Sequence, residues 1–256
     1  MVLEVIDKGA VSAQHPAPLL FVHGAAHAAW CWDDHFLGYF ADRGYRAVAL
    51  SLRGHGASNS VPVHGCSIAD FVADVHEVAA GLDSQPVVIG HSMGGFVVQR
   101  YLTDHAAPAA VLVASVPPTG VAGALVRTAM IRMRMRVAHP RTSVDMAEYL
   151  GALFFHPITA RNIVSDCLTR LSTETPTRAL LDMTVPMRRN RPPGMPVMVL
   201  GAAQDRSVSR AALRATASAY RTHAEVLPAM GHDIMLEPGW ETGAARIHGW
   251  LGSHGL

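Results

Sequence analysis

Cysteine is scarce in this chain of 256 residues: Cys31, Cys66 and Cys167 are too few and too far apart for a disulfide framework or a cysteine zinc site. All three are expected to be small buried hydrophobes. Charge is also thin, with Asp, Glu, Lys and Arg at 16% and a formal net charge of +1, so no nucleic-acid partner is implied. Apolar residues reach 50%, yet no run approaches the ~18 uninterrupted positions of a membrane span, so no integral membrane segment is expected. The 15 histidines are scattered, with no His-x-x-x-His pair in a Glu-bearing helix, so no metal is expected. The opening Met1 to Lys8 alternates like a strand and has no basic, apolar and cleavage regions of a signal peptide, which makes the cytoplasm the expected location. No internal repeat or low-complexity tract breaks the chain.

Short apolar runs alternating with helical patterns are what is there. Leu3 to Ile6 reads as an edge strand, and Leu19 to Val22, Ala47 to Leu50, Pro86 to Gly90, Ala110 to Ala114, Pro196 to Gly201 and Ala224 to Leu227 as further strands, buried on both faces. Helices are predicted over Trp30 to Arg43, from a Ser67 or Asp70 cap to about Leu82, from Phe96, over Ser209 to Tyr220 and over Pro238 to Leu251. This alternation implies a parallel sheet with right-handed crossovers. Between Thr119 and Pro193 the rhythm stops, methionines mix with arginines, and a mostly helical insertion is expected.

Gly90-His91-Ser92-Met93-Gly94 falls on the turn between a buried strand and an apolar helix. That context suits a nucleophile elbow: the tight reversal strains the central residue, glycines let strand and helix touch, and Ser92 stands exposed at the carboxyl edge of the sheet. A serine hydroxyl needs a base. Asp205 and His232 follow later strands at the same sheet rim, in the order Ser, acid, His that this motif carries. His232 would take the Ser92 proton while Asp205 holds the imidazole tautomer. Asp233 is the nearest rival acid, but a neighbour of His232 reaches the far ring nitrogen poorly; Asp166 and Asp182 are weaker. The backbone N–H groups of Ala25 and Met93 are the candidate oxyanion donors.

Taken together, Phe21 to Ala25, Leu50 to Ser58, Gly90 to Gly95 and Gly231-His232 resemble the α/β-hydrolase fold, in particular small esterase and lysophospholipase-like serine hydrolases. The resemblance implies an α/β core over 1–118 and 194–256, a mostly parallel sheet flanked by helices, and a helical cap over 119–193 between the sixth and seventh strands. It also implies cleavage of a carboxylic ester or thioester of a hydrophobic small molecule or lipid through an acyl-enzyme on Ser92, without a cofactor. The same constellation serves lyases and cofactor-free oxygenases, in which the Ser92 and His232 pair would only move protons. Two departures stand out: Ser51 replaces a frequent Asp, and the acid loop from Gly201 to Asp205 is one residue longer. His27, Trp30, His91, Phe154 and Phe155 are candidate pocket residues, cap methionines and leucines would form an apolar wall, and Arg127, Arg132, Arg134 and Arg136 read as a solvated face. A homodimer is compatible with this reading.

Overall fold

Among the described residues, segments of four to six residues, apolar in the inner strands and too short for helices, form one seven-stranded sheet. The computed structural model describes residues 2–138, 146–187 and 194–256. Its strands are β1 (Val5–Lys8), β2 (Leu19–Val22), β3 (Ala47–Leu50), β4 (Val87–His91), β5 (Ala110–Val113), β6 (Val197–Ala202) and β7 (Ala224–Leu227). They lie in the order β1-β3-β2-β4-β5-β6-β7, and only β1 runs antiparallel. The first strand starts two residues later than expected because Glu4 is already engaged, its N–H donating to Ser58 Oγ and its carbonyl accepting from Ser51 N. The last strand is not buried on both faces: as the sheet edge, β7 leaves Glu225 and Val226 exposed.

Alternation along each inner strand divides the core into two layers. Leu20, Val22, Val48, Leu50, Val88 and Leu112 face α3 (Ile68–Ala80), α4 (Met93–Tyr101) and α9 (Arg210–Ala219). Leu19, Phe21, Ala49, Ile89, Val113 and Leu200 face α1 (Trp30–Asp33), α2 (Phe36–Ala41) and α10 (Trp240–Ser253). The single helix expected over Trp30 to Arg43 is thus two, broken where Asp34 accepts from Arg170 and His35 stacks on Trp240. Ser67 caps α3 in a capping box with Asp70. The three cysteines are free and buried.

The insertion carries α5 (Ala122–Ala138), α6 (Met146–Phe154), α7 (Arg161–Arg170) and α8 (Thr177–Asp182). It follows β5 and precedes β6, so the count borrowed from the resembled family runs one ahead of the strands described here. Its expected end at Pro193 lies outside the described residues, as does Met1. The insertion's apolar residues do not all form one wall: Met183 is buried in the core, whereas Met130, Met133 and Met146 are exposed.

The sheet meets α4 with no room to spare. A Cβ on Gly90 would sit 2.5 Å from the carbonyl oxygen of Gly94 and 2.7 Å from Cα of Gly95, which are backbone atoms unable to rotate away. Gly90→Ala should therefore cost about 3 kcal/mol, read as a lower denaturant midpoint with unchanged slope. An unchanged midpoint would mean that strand and helix can separate freely here.

Candidate active site

Since β2 pairs with β3 on one side and β4 on the other, the loops leaving β2 and β4 meet at the carboxyl edge where chain order reverses. Ser92 occupies the second loop with φ 53° and ψ −116°, a conformation that costs a non-glycine residue roughly 1–3 kcal/mol. Strand β5, the segment after it and α4 hold it there: its N–H donates to Val113 O, and its carbonyl accepts from Val116 N and Phe96 N. The hydroxyl is left pointing at the loop after β7.

His232 lies in that loop, with Nε2 2.9 Å from Ser92 Oγ and Nδ1 2.8 Å from Asp205 Oδ2. A carboxylate only accepts, so Nδ1 carries the proton and Nε2 is free to accept from the serine hydroxyl. Asp205 is oriented in turn by the N–H groups of Ser207 and Val208, each 2.7 Å from Oδ1. The longer acid loop is absorbed by two backbone bonds, Ala203 N to Leu227 O and Gln204 N to Met230 O. Ser92, Asp205 and His232 are thus brought together as one hydrogen-bonded chain. Met93 follows the serine directly, a Cβ on Gly24, the residue before Ala25, would sit 3.3 Å from Ser92 Cβ, and among the described residues neither the Ala25 nor the Met93 N–H donates to a protein acceptor.

The sequence matches the profile of the family described as "Alpha/beta hydrolase family" over residues 19–241. The chain belongs to the alpha/beta hydrolase family. It is 41% identical over 105 residues to the non-heme haloperoxidase of Rhodococcus erythropolis, a match covering 40% of this chain and 38% of that one. Over 108 residues it is 39% identical to the bifunctional esterase/perhydrolase DCH of Acinetobacter calcoaceticus, again covering 40% and 38%. This chain therefore matches less than two thirds of the length of these relatives. Among solved structures, a thermophilic esterase from Thermogutta terrifontis superposes with a TM-score of 0.74 at 22% identity, covering 99% of this chain and 94% of the esterase.

In this alpha/beta hydrolase the first loop is fastened by two histidines. His23 donates from Nδ1 to Gly24 O and accepts at Nε2 from Leu52 N; His55 faces the carbonyls of Ala25 and Arg53. Burial pushes the pKa of each below the ordinary histidine value. Ser51, which replaces a frequent Asp, receives Ala29 N–H and donates to the Glu4 carboxylate, so the negative group comes from the amino-terminal segment instead.

The expected pocket residues divide. Phe154 stands at the site, its ring 5.9 Å from that of His232 and 5.6 Å from that of His27. Trp30 lies 5.6 Å from the His27 ring and under the Arg170 guanidinium, beside a cleft of ≈ 630 Å³ whose lining includes His27 and His55 but not Ser92 or His232. Phe155 is instead core, 2% exposed, because the chain turns inward after α6. His91 is not a pocket wall either: fully buried, it donates from Nε2 to the carbonyl of His232.

Three further residues take roles that differ from, or were not among, those expected from the sequence. Asp233 is fully buried and accepts from His27 Nε2 at 3.0 Å, with His91 Nε2 at 3.6 Å from its other oxygen. Burial alone would raise its pKa, but the charge and hydrogen bond of His27, with His91 and His232 adding, hold it below the ordinary carboxylate value. His27, His91 and Asp233 place donor atoms within 4.8 Å of one another and have the ligand types of a metal site, although the His27–Asp233 bond already occupies one pair. Glu237, also buried, ties the His232 loop to the insertion by accepting from Gly231 N, His156 N and the Thr159 hydroxyl. Arg127 is not on a solvated face: its guanidinium donates to the carbonyls of Asp205 and Arg206.

Proposed function

We propose that this protein is a serine hydrolase that cleaves a carboxylic ester or thioester of a hydrophobic small molecule or lipid. The observation that carries the reading is the continuous bond chain from Ser92 Oγ through both nitrogens of His232 to Asp205. Ser92 Oγ attacks the acyl carbon as its proton passes to His232 Nε2, and the carbonyl oxygen becomes an anion facing the free N–H groups of Ala25 and Met93. Collapse expels the alcohol or thiol, which leaves with the proton from His232, and an acyl-Ser92 ester remains. Water then gives a proton to His232 and attacks the acyl carbon, and that proton passes to Ser92 Oγ as the acid leaves, with Asp205 steadying the imidazolium. The insertion over 119–193 acts as the cap, and Phe154 forms part of the acyl pocket. Hydrolysis of p-nitrophenyl esters from acetyl to palmitoyl tests this reading and sizes the pocket. A single chain-length optimum supports it; no turnover of any member, or turnover with no acyl-enzyme, contradicts it in favour of proton-transfer chemistry.

The pH dependence has a definite sign. Burial opposes charging His232, but the charge and hydrogen bond of Asp205, with the charge of Asp233, outweigh it and set its pKa above the ordinary 6.5. Only neutral His232 can take the serine proton. Hydrolysis should therefore fall as pH drops through a midpoint above 6.5. The stability that His232 contributes runs the other way, full below the unfolded-state pKa and lost as pH rises through the folded one. In Asp205→Asn the acid limb of kcat/KM should move to lower pH; an unmoved limb would show that a group other than His232 titrates.

A further inference from the structure

Helix α5 keeps its anchoring contacts on one side. Thr128, Ile131 and Met135 are half-buried, Arg127 grips the acid loop, and Arg132 lies over the Tyr149 ring. The opposite side faces water, and it is apolar. Val126, Met130, Met133 and Val137, spaced by four, three and four residues, form a single stripe and are 62%, 52%, 62% and 72% exposed. Arg134 and Arg136 project beside the stripe, also exposed. No Asp or Glu occurs anywhere in Ala122–Ala138.

A water-facing methionine and valine stripe flanked on both sides by arginines is the pattern of a helix that lies in an interface. At about 1.5 Å rise per residue α5 is ~25 Å long, enough to lie flat across several lipid headgroups. Charge decides which occupant suits it. A second copy of this chain paired about a two-fold axis would bring the same arginines against each other, whereas anionic headgroups would neutralise them. We propose that the outward face of α5 docks on the surface of an anionic phospholipid bilayer, with its apolar stripe among the upper acyl carbons and Arg134 and Arg136 on the phosphates. No described helix is long and apolar enough to cross a membrane, so the attachment is peripheral. Because Arg127 joins α5 to the Asp205 loop, the docked surface lies on the element that contacts the catalytic acid's backbone. The docking does not depend on the chemistry at Ser92.

Flotation of the full chain with vesicles of phosphatidylglycerol or phosphatidylcholine tests the proposal. The native protein and Ser92→Ala should float equally with phosphatidylglycerol, at least ~tenfold more weakly with phosphatidylcholine, and less as salt rises. Met130→Asp combined with Met133→Asp, and separately Arg134→Glu combined with Arg136→Glu, should each weaken binding at least ~tenfold with an unchanged melting temperature. The proposal is overturned if the native chain does not bind phosphatidylglycerol vesicles, or if both double variants bind as it does. It is equally overturned if light scattering finds a native dimer that the methionine variant splits, which would assign the face to a second copy.

Discussion

Ser92→Ala should lower kcat for a p-nitrophenyl ester by about 10⁶-fold while leaving KM nearly unchanged, because the attacking oxygen is gone and the acyl pocket is not. Asp205→Asn should cost about 10⁴-fold: an amide presents a donor toward Nδ1, which favours the wrong tautomer of His232 and leaves Nε2 unable to accept from the serine. The unit is cooperative. Adding His232→Ala to Ser92→Ala should cost almost nothing further, since a base without a nucleophile has nothing to activate. Steady-state kinetics of the two single variants and the double variant check all three statements. A Ser92→Ala enzyme that kept a tenth of the native rate would mean that the ester is cleaved by direct attack of water, without an acyl-enzyme.

The second large effect concerns stability. His27→Leu removes the donor at 3.0 Å from Asp233, a carboxylate with no solvent exposure, and leaves a buried negative charge beside His91 and the catalytic loop. Breaking such a pair from one side costs about 3–5 kcal/mol, which for a chain of this size is roughly 10 °C in melting temperature. The compensating change is Asp233→Asn: in the His27→Leu background it removes the charge and should recover at least ~2 kcal/mol, a non-additivity that identifies the two residues as one unit. The pH dependence follows from the lowered pKa of Asp233. Its contribution is present above the unfolded-state value and is lost as pH falls through the lower folded one, so the gap between native and His27→Leu should close in acid. Calorimetry of the native, single and double variants measures it; equal melting temperatures for native and His27→Leu would show that Asp233 carries no charge in the fold.

Sheet and elbow were legible because their signals are local. A buried strand such as Val87 to His91 must be short and apolar, the turn after it must be glycine-rich for strand and helix to touch, and both facts lie within fifteen consecutive residues. Ser92, Asp205 and His232 were legible for a second reason: in a parallel sheet the end of every strand reaches the same rim, so order along the chain carries spatial information. What escaped the sequence was contact between distant segments with no repeating pattern. His27 and Asp233 are 206 positions apart, and Glu237 meets Thr159 across 78. Phe154 and Phe155 are adjacent in sequence yet one reaches the site and the other the core, a distinction set by how α6 ends. The replacement of a carboxylate at Ser51 by Glu4 likewise required the amino-terminal segment to be in place.

The central claim is that Ser92 is the nucleophile and becomes acylated. Incubating the native protein with a fluorophosphonate, digesting it and measuring peptide masses tests that claim most directly. A single phosphonyl adduct on the peptide containing Ser92, absent in Ser92→Ala and formed far more slowly in His232→Ala, is the predicted result. A fully active protein that takes up no label, or is labelled at another residue, would contradict it.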